Sequence, residues 1–397
     1  MPASSQVECE CNRALSPPES VLVRGYHASE CLAEPEEEEV FPQKQTHRSA
    51  WSGLLKIVCF FALIVLLLFG LNAMINSGLR HVKTSQFGVS NKIVQGKINA
   101  EIVISGSSRA LTHYDPRIIE RITGYSTFNI GLNGSQTDLQ LARLKAYLKH
   151  NQKPKLLVQN LDLFSFLTSH EIYDPAQYVP YLNEGSIYAG VRRVYPDAWK
   201  WKYLPLYGYA VEDMRFNWMI GLKALAGIQP KEDHVNGYRP RDTSWTGDFE
   251  KFRANNPDGV VVETEAQGVR DFEELLGLCA EQGIPVLIVY SPEYYEMQAI
   301  ERNRKELLGK AKEMTGHFNF PLWDYSGSPI CRDRSNFYNS QHLNKRGASL
   351  FSEEFAGRLV GTAPVKAIRA SHEQRGAAAP ASAFGASIFA GLTVGGN

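Results

Sequence analysis

The chain has no net charge: its 42 lysines and arginines balance 42 aspartates and glutamates. A nucleic-acid binder shows a basic excess on one face, so this balance argues against one. Six cysteines in 397 residues have no metal-ligand spacing. Cys9 and Cys11 form a C-x-C with no second pair nearby, which argues against zinc. No internal repeat is visible. No Gly-Lys-Ser/Thr follows any glycine turn, which excludes a Walker phosphate loop. No cofactor is expected. Charge is absent altogether from Ile57 to Leu71.

That charge-free run is the core of residues 53–75, GLLKIVCFFALIVLLLFGLNAMI. About 20 apolar residues cross a bilayer as a helix. No polar face is visible, which disfavours a buried core helix. The run is too long, and lies too far into the chain, for a cleaved signal peptide. We read it as one uncleaved signal anchor. Lys44, Arg48 and Lys56 precede or open it, and Arg80, Lys83 and Lys92 follow. The positive-inside rule is therefore close to a tie. Ahead of the anchor, residues 1–50 are polar and aperiodic, with a glutamate run from Glu36 to Glu39, and are expected to be disordered. Cys9, Cys11 and Cys31 lie in this tail, where a cytoplasmic location would argue against structural disulfides.

After a connector at 76–99, strand-like and helix-like pieces alternate. Strands are expected at 101–105, 126–129, 155–161, 285–290 and 318–323. Helices are expected at 116–122, 135–150, 264–282, 297–314 and 345–360. Ser135 and Asp138 have the spacing of a helix cap. Such alternation predicts an α/β fold, a parallel sheet with helices on both faces. It is interrupted at 168–262 by an insertion rich in tyrosine, tryptophan and proline, including Tyr178, Tyr181, Trp199 and Trp201. Residues 361–397 are Ala/Gly-rich without pattern and are expected to be disordered.

Three stretches can carry chemistry. The first is Ile102-Val103-Ile104-Ser105-Gly106-Ser107-Ser108-Arg109, a β-branched run ending in a small-residue turn. A strand breaking through glycine into a helix lifts a side chain to the sheet rim, where ligands sit in open α/β folds. Serine there needs a base to act as a nucleophile. The second is Asn129-Ile130-Gly131-Leu132-Asn133-Gly134-Ser135, whose backbone N–H groups could hold an oxyanion. Taken by itself, it reads as a turn chosen for backbone freedom. The third is Asn339-Ser340-Gln341-His342, a polar loop ahead of the last helix. A lone loop histidine is more often a surface residue than a catalytic one.

In this order, the three stretches resemble the SGNH/GDSL hydrolase superfamily over roughly residues 100–360. The resemblance implies a three-layer α/β/α (flavodoxin-like) parallel sheet. It implies Ser108 as nucleophile, His342 as general base, and the Ser108 and Gly134 backbones as oxyanion donors. Two blocks depart from the family pattern. The triad acid position holds Asn339, which can orient the imidazole but supplies no charge. A Ser-His dyad, a borrowed acid (Asp162, Asp324 or Asp333) or an inactive site are the options this leaves. The third block is missing, and Asn160 or Asp162 is the stand-in for its oxyanion donor.

The nearest likeness is to membrane-anchored SGNH-like proteins of bacterial surface-polymer acylation, of the alginate O-acetylation and teichoic-acid D-alanylation types. It implies a single-pass protein of the bacterial inner membrane with its large domain outside the cytoplasm. The implied activity is that of an esterase or O-acyltransferase on a cell-surface or exported polysaccharide. The implied partners are a polysaccharide or acyl donor and a membrane acyltransferase or export complex. The alternative is a catalytically inactive binding or assembly subunit, and a weaker one is a purely structural membrane partner. Tyr178, Tyr181 and Trp199 would suit sugar rings, or would build an aromatic core for the insertion. Arg109 could bind an anionic polymer, although we expect a surface residue. Cys279 is expected in the core. A Cys279–Cys331 bond is conceivable but unsupported by spacing.

Overall fold

Five short apolar strands pair in parallel at the centre of the molecule. They are β1 (Ile102–Ser105), β2 (Thr127–Asn129), β3 (Leu156–Asn160), β4 (Val286–Tyr290) and β5 (Leu322–Asp324). A computed structural model describes residues 47–210, 214–362, 366 and 368. Nearly all of both expected tails, with Cys9, Cys11 and Cys31, lies outside the described residues. The chain falls into two compact units, Met1–Val58 and Cys59–Asn397. Of the first, only the opening of one helix is described.

The strand order is β2-β1-β3-β4-β5, with every pair parallel. Strands β1 to β4 are buried on both faces, because successive side chains alternate between two apolar layers, while the edge strand β5 is only part-buried. Val103, Leu157 and Ile288 join one layer, while Ile102, Ile104, Val158 and Val289 join the other. Helices cover both layers, so the architecture is three-layer α/β/α, as expected. This strand order reverses direction between β1 and β3, and ligands bind at the carboxyl ends of strands at such a switch point. The Ser108 turn follows β1.

The helices are α1 (His47–Arg80), α2 (Ser85–Val94), α3 (Ser108–His113), α4 (Pro116–Thr123) and α5 (Thr137–His150). The insertion carries α6 (Gly185–Val194), α7 (Ala198–Tyr203), α8 (Tyr207–Ala210), α9 (Asn217–Leu225) and α10 (Asp248–Asn255). Next come α11 (Ala266–Glu281), α12 (Tyr295–Ile300) and α13 (Arg304–His317). A small antiparallel pair, β6 (Phe337–Asn339) and β7 (His342–Leu343), precedes α14 (Lys345–Val360).

Some sequence expectations change. The connector is structured: α1 continues to Arg80, and α2 buries Phe87, Val89 and Ile93. The Asn91 side chain donates to the Leu79 and Val82 carbonyls, satisfying acceptors at the end of α1. The helix expected at 297–314 is two helices. Between them the chain pairs with Val260, whose N–H donates to Ile300 O and whose carbonyl accepts from Arg302. Ser135 does not cap α5; its hydroxyl donates to Leu132 O, while Asp138 accepts from Ser169 and Gln136 is the N-cap. Cys279 is buried and free, and so is Cys331, whose thiol donates to Tyr325 O, so the two are not bonded.

Trp51–Arg80 is long and apolar enough to cross a membrane, and none of its most apolar stretch is buried. Its last turns carry the insertion. A Cβ at Gly78 would sit 1.9 Å from the Gly221 carbonyl oxygen, and one at Gly221 would sit 2.7 Å from Ile75 O. Two helices can approach this closely only over glycine. Gly78→Val should destabilise the domain by about 1–3 kcal/mol through overpacking. A thermal unfolding midpoint unchanged from wild type would show that α1 and α9 do not cross here.

Candidate active site

Gly106 ends β1 at φ 143°, and a Cβ there would meet Asn160 Cβ at 2.8 Å and Ala110 Cβ at 2.9 Å. Only glycine allows both the dihedral and the contact. Ser107 then caps α3, accepting from the Arg109 N–H and donating to Asp162 Oδ2 at 2.5 Å. Ser108 is thus the first residue of α3. Its N–H has no intrahelical partner, as for any residue at that position.

Ser108 Oγ lies 2.7 Å from His342 Nε2. The histidine arrives on β7, directly opposite Asn339 on β6. Its Nδ1 is 2.9 Å from Asn339 Oδ1. The same oxygen accepts the backbone N–H groups of Gln341 and His342, at 3.1 and 2.9 Å. Two donors that cannot be anything else fix the amide's orientation. The atom facing Nδ1 is therefore an acceptor, Nδ1 carries the proton, and Nε2 presents its lone pair to the serine. Asparagine thus selects the tautomer that a general base requires.

It does not supply charge. Burial pushes the His342 pKa down to about 3, and the positive charges of Arg109 and Arg241 add to the shift. Tyr338 stacks on the ring with centroids 5.3 Å apart. None of the three candidate acids faces His342. Asp162 faces Ser107 and Arg109, Asp324 accepts from Ser326, and Asp333 caps the turn at Ser335. A second imidazole lies beside the first. His113 is fully buried, its Nε2 accepts the Leu343 N–H at 3.0 Å, and its Nδ1 faces Ser291 Oγ at 2.9 Å. Burial, with Arg109 and His342 nearby, keeps its pKa well below the usual value, so it holds β7 as a neutral ring. Nothing in the sequence around His113 marks this role.

Arg109 corrects the surface reading. Every other residue of α3 after Ser108 is buried too, because the helix is wedged against β7 and α14 and has no solvent face. The Arg109 guanidinium is 2% exposed. It pairs with Asp162 at 3.4 Å, donates to Ser291 O, and lies 4.6 Å from the Tyr290 ring centroid. Burial opposes its charge, but Tyr290, Glu293 and Asp162 outweigh that and hold it protonated. Asp162 feels the same burial, which raises its pKa against the pull of Arg109. Neither side chain can meet a polymer.

The oxyanion candidates separate. Asn160 is fully buried: its Oδ1 accepts from Tyr114 Oη at 2.8 Å, and its Nδ2 donates to Leu161 O and Asp162 Oδ1. That amide has no free donor, and the stand-in assignment fails. In the second turn, the N–H groups of Ile130, Gly131, Leu132 and Asn133 go to Ile104 O, Asn129 Oδ1, Gly106 O and Gln177 Oε1. Gly134 is exposed, at φ 59°, and its N–H has no bond to another described residue. Tyr173, from the insertion, packs where a Gly134 side chain would stand.

Two of the expected sugar-binding rings are core. Tyr178 and Tyr181 are 4% and 1% exposed, and Tyr181 Oη bonds to Phe87 O and Asn91 Oδ1 on α2. They face inward because the insertion must bury a core of its own. Trp199 stays exposed on α7, with Lys200 Nζ 5.8 Å from its ring centroid.

Removing the guanidinium would leave Asp162 without its cation in a dry site. Breaking a buried pair on one side costs about 3–5 kcal/mol. Arg109→Met should therefore lower stability to denaturant by about that amount. A loss below about 0.5 kcal/mol, normal for a surface substitution, would contradict the buried pair.

No family model and no curated protein matches the sequence. Among solved structures, the chain is similar to a protein from Desulfitobacterium hafniense named for the lipolytic G-D-S-L family. The identity is 12%, covering 65% of this chain and 98% of that one, with a TM-score of 0.32. It is also similar to a protein from Streptococcus pneumoniae named for platelet activating factor (10%, 76% and 99%, TM-score 0.36). A third is a protein from Bacteroides fragilis named as an acylhydrolase (9%, 65% and 87%, TM-score 0.30). In its sheet, and in the order of its serine, glycine turn and histidine, the chain is similar to the SGNH/GDSL hydrolase superfamily.

Proposed function

We propose that the protein is a membrane-anchored serine esterase or O-acyltransferase that acts on a cell-surface or exported polysaccharide. The observation that carries the chemistry is the 2.7 Å contact between Ser108 Oγ and the unprotonated Nε2 of His342. Ser108 Oγ attacks an ester carbonyl while its proton passes to Nε2. The N–H groups of Ser108 and Gly134 bind the oxyanion. The tetrahedral intermediate collapses, the ester C–O bond breaks, and the leaving alcohol takes the proton from His342. Water or a sugar hydroxyl then attacks the acyl-serine while His342 accepts its proton; the second intermediate collapses, the Ser108 Oγ–acyl bond breaks, and His342 returns the proton to Oγ. The anchor belongs to the same reading and is supported by the apolar Trp51–Arg80 helix, while the extracytoplasmic location rests on the family resemblance.

The weak point of the machinery is the imidazolium. In another serine hydrolase, replacing the triad aspartate by asparagine slows turnover about 10⁴-fold. Here Asn339 stands at that position and two arginines disfavour the charged ring. A second reading, a non-catalytic subunit that keeps the fold, is favoured by that one feature. Labelling of the full chain with a fluorophosphonate separates the two. We expect labelling that disappears in Ser108→Ala and His342→Ala; an unlabelled, folded wild type would favour the second reading.

The pH dependence follows from the sign of the shift. A base works unprotonated, so a pKa near 3 leaves His342 competent throughout the neutral range. The labelling rate should be flat from about pH 8 to about pH 5 and fall only on further acidification. Asn339→Asp should raise the rate at neutral pH by about tenfold or more. It should also move the acid limb upward, towards the ordinary histidine value. An acid limb near pH 6.5 in the wild type would show that the ring is not held low.

A further inference from the structure

A cavity of about 840 Å³ opens at the C-terminal end of α1, and neither Ser108 nor His342 lines it. Its wall carries Arg80, His81, Lys83, Lys92, Lys97 and Lys202, and no aspartate or glutamate. Among the described residues none of the four lysines has a carboxylate partner within ion-pair distance. Lys83 and Lys97 are exposed, while Lys92 and Lys202 rest on the rings of Phe128 and Tyr188. Like charges gathered around one cavity repel each other, and the field they sum to is a site for an anion.

The place of the cavity says which anion. The apolar surface of α1 stays exposed to Leu71 and Met74, and Ile75 is the first of its large apolar residues to be buried. The cavity wall begins at Asn72, within the same turn. The insertion is fixed to that turn. Leu206 N–H donates to Asn72 Oδ1, Tyr209 Oη donates to Asn76 Oδ1, and Gly221 packs on Ile75. Around these contacts Tyr203, Leu204, Tyr207 and Trp218 remain exposed. Tyrosine and tryptophan collect where a helix leaves a bilayer, with the ring in the interface and the polar tip outside. Lysines just beyond that level attract acidic head groups.

We propose that this cavity binds the phosphate-bearing head group of an anionic phospholipid from the bilayer that α1 crosses. The inference rests on the membrane-anchor part of the reading above and is independent of the chemistry at Ser108. A head group held by Lys83, Lys92, Lys97 and Lys202 would tie the domain to the membrane surface at a fixed height and tilt.

The test uses the full-length protein in detergent, with lipid retention measured by native mass spectrometry. Phosphatidylglycerol should be retained about tenfold more tightly than phosphatidylcholine, or better, since each basic residue near a surface contributes about 1 kcal/mol. The variant with Lys83, Lys92, Lys97 and Lys202 all changed to Gln should lose that preference while keeping its circular dichroism spectrum and melting point. Ser108→Ala should keep the preference. Equal retention of the two lipids, or an undiminished preference in the folded quadruple variant, overturns the proposal. So does glycerol phosphate competing as well as the lipid, which would make the cavity a site for a soluble anion. Carbonate extraction of native membranes tests the anchor separately. Release of the protein would defeat the anchor reading and this proposal with it, whereas retention leaves the lipid result to decide the cavity alone.

Discussion

Arg109 cannot be solvated where it stands, and much of the site is arranged around that fact. Its guanidinium needs a negative partner and acceptors within the protein, and they come from two other strands. Asp162 follows β3; Tyr290 ends β4, and the Ser291 carbonyl follows it. Asp162 also takes the hydroxyl proton of Ser107 in a hydrogen bond. The residues on either side of Ser108 are therefore both tied to Asp162, one directly and one through charge. A buried pair is weak as a source of net stability, because desolvation cancels most of the Coulomb gain. Its consequence here is positional: Ser108 sits between two residues that both contact Asp162.

The histidine is held by the opposite strategy, with dipoles in place of charges. Asn339 Oδ1 accepts from Nδ1 and from two backbone N–H groups, so the loop, the amide and the ring fix one another. Orientation and tautomer are the part of an aspartate's work that an amide can do. Stabilising the imidazolium is the part it cannot do, and Arg109 presses in the wrong direction. The same guanidinium that is tied in beside Ser108 thus disfavours the charged form of His342.

Much of this was legible in the sequence, for physical reasons that differ by element. Strands β1 and β4 are β-branched runs with no polar alternation, the mark of a sheet covered on both faces. The last helix was bounded correctly at both ends: Asn344 caps its start, accepting from the Gly347 N–H, and Gly361 follows its end. Ser108 and His342 were paired only through the family resemblance, since a lone loop histidine by itself reads as a surface residue. Arg109 could not be placed, since one arginine after a serine looks the same whether its helix faces water or a sheet. Asn160 failed for a similar reason. Its position at the end of β3 was read correctly, but its side chain was already committed to Tyr114 and Asp162. The aromatic insertion shows only composition, and composition does not say which rings turn inward. Tyr178 and Tyr181 did, since a segment of that size needs a core.

The insertion packs on both the glycine turn and α1. It opens at residue 168, after β3 and Asp162. Within it, Tyr173 covers Gly134, and Gln177 both accepts from and donates to the backbone of Asn133. Further along, Tyr209 and Gly221 grip α1 at Asn76 and Ile75. One continuous segment therefore touches the glycine turn beside the serine and the turn of helix where the apolar surface ends. Its core, which includes Tyr178, Tyr181 and Val191, is continuous with the apolar layer under β1 and β3. Packed cores do not deform gradually. Through this one packed segment, the last turns of α1 and the backbone turn at Gly134 share a continuous core.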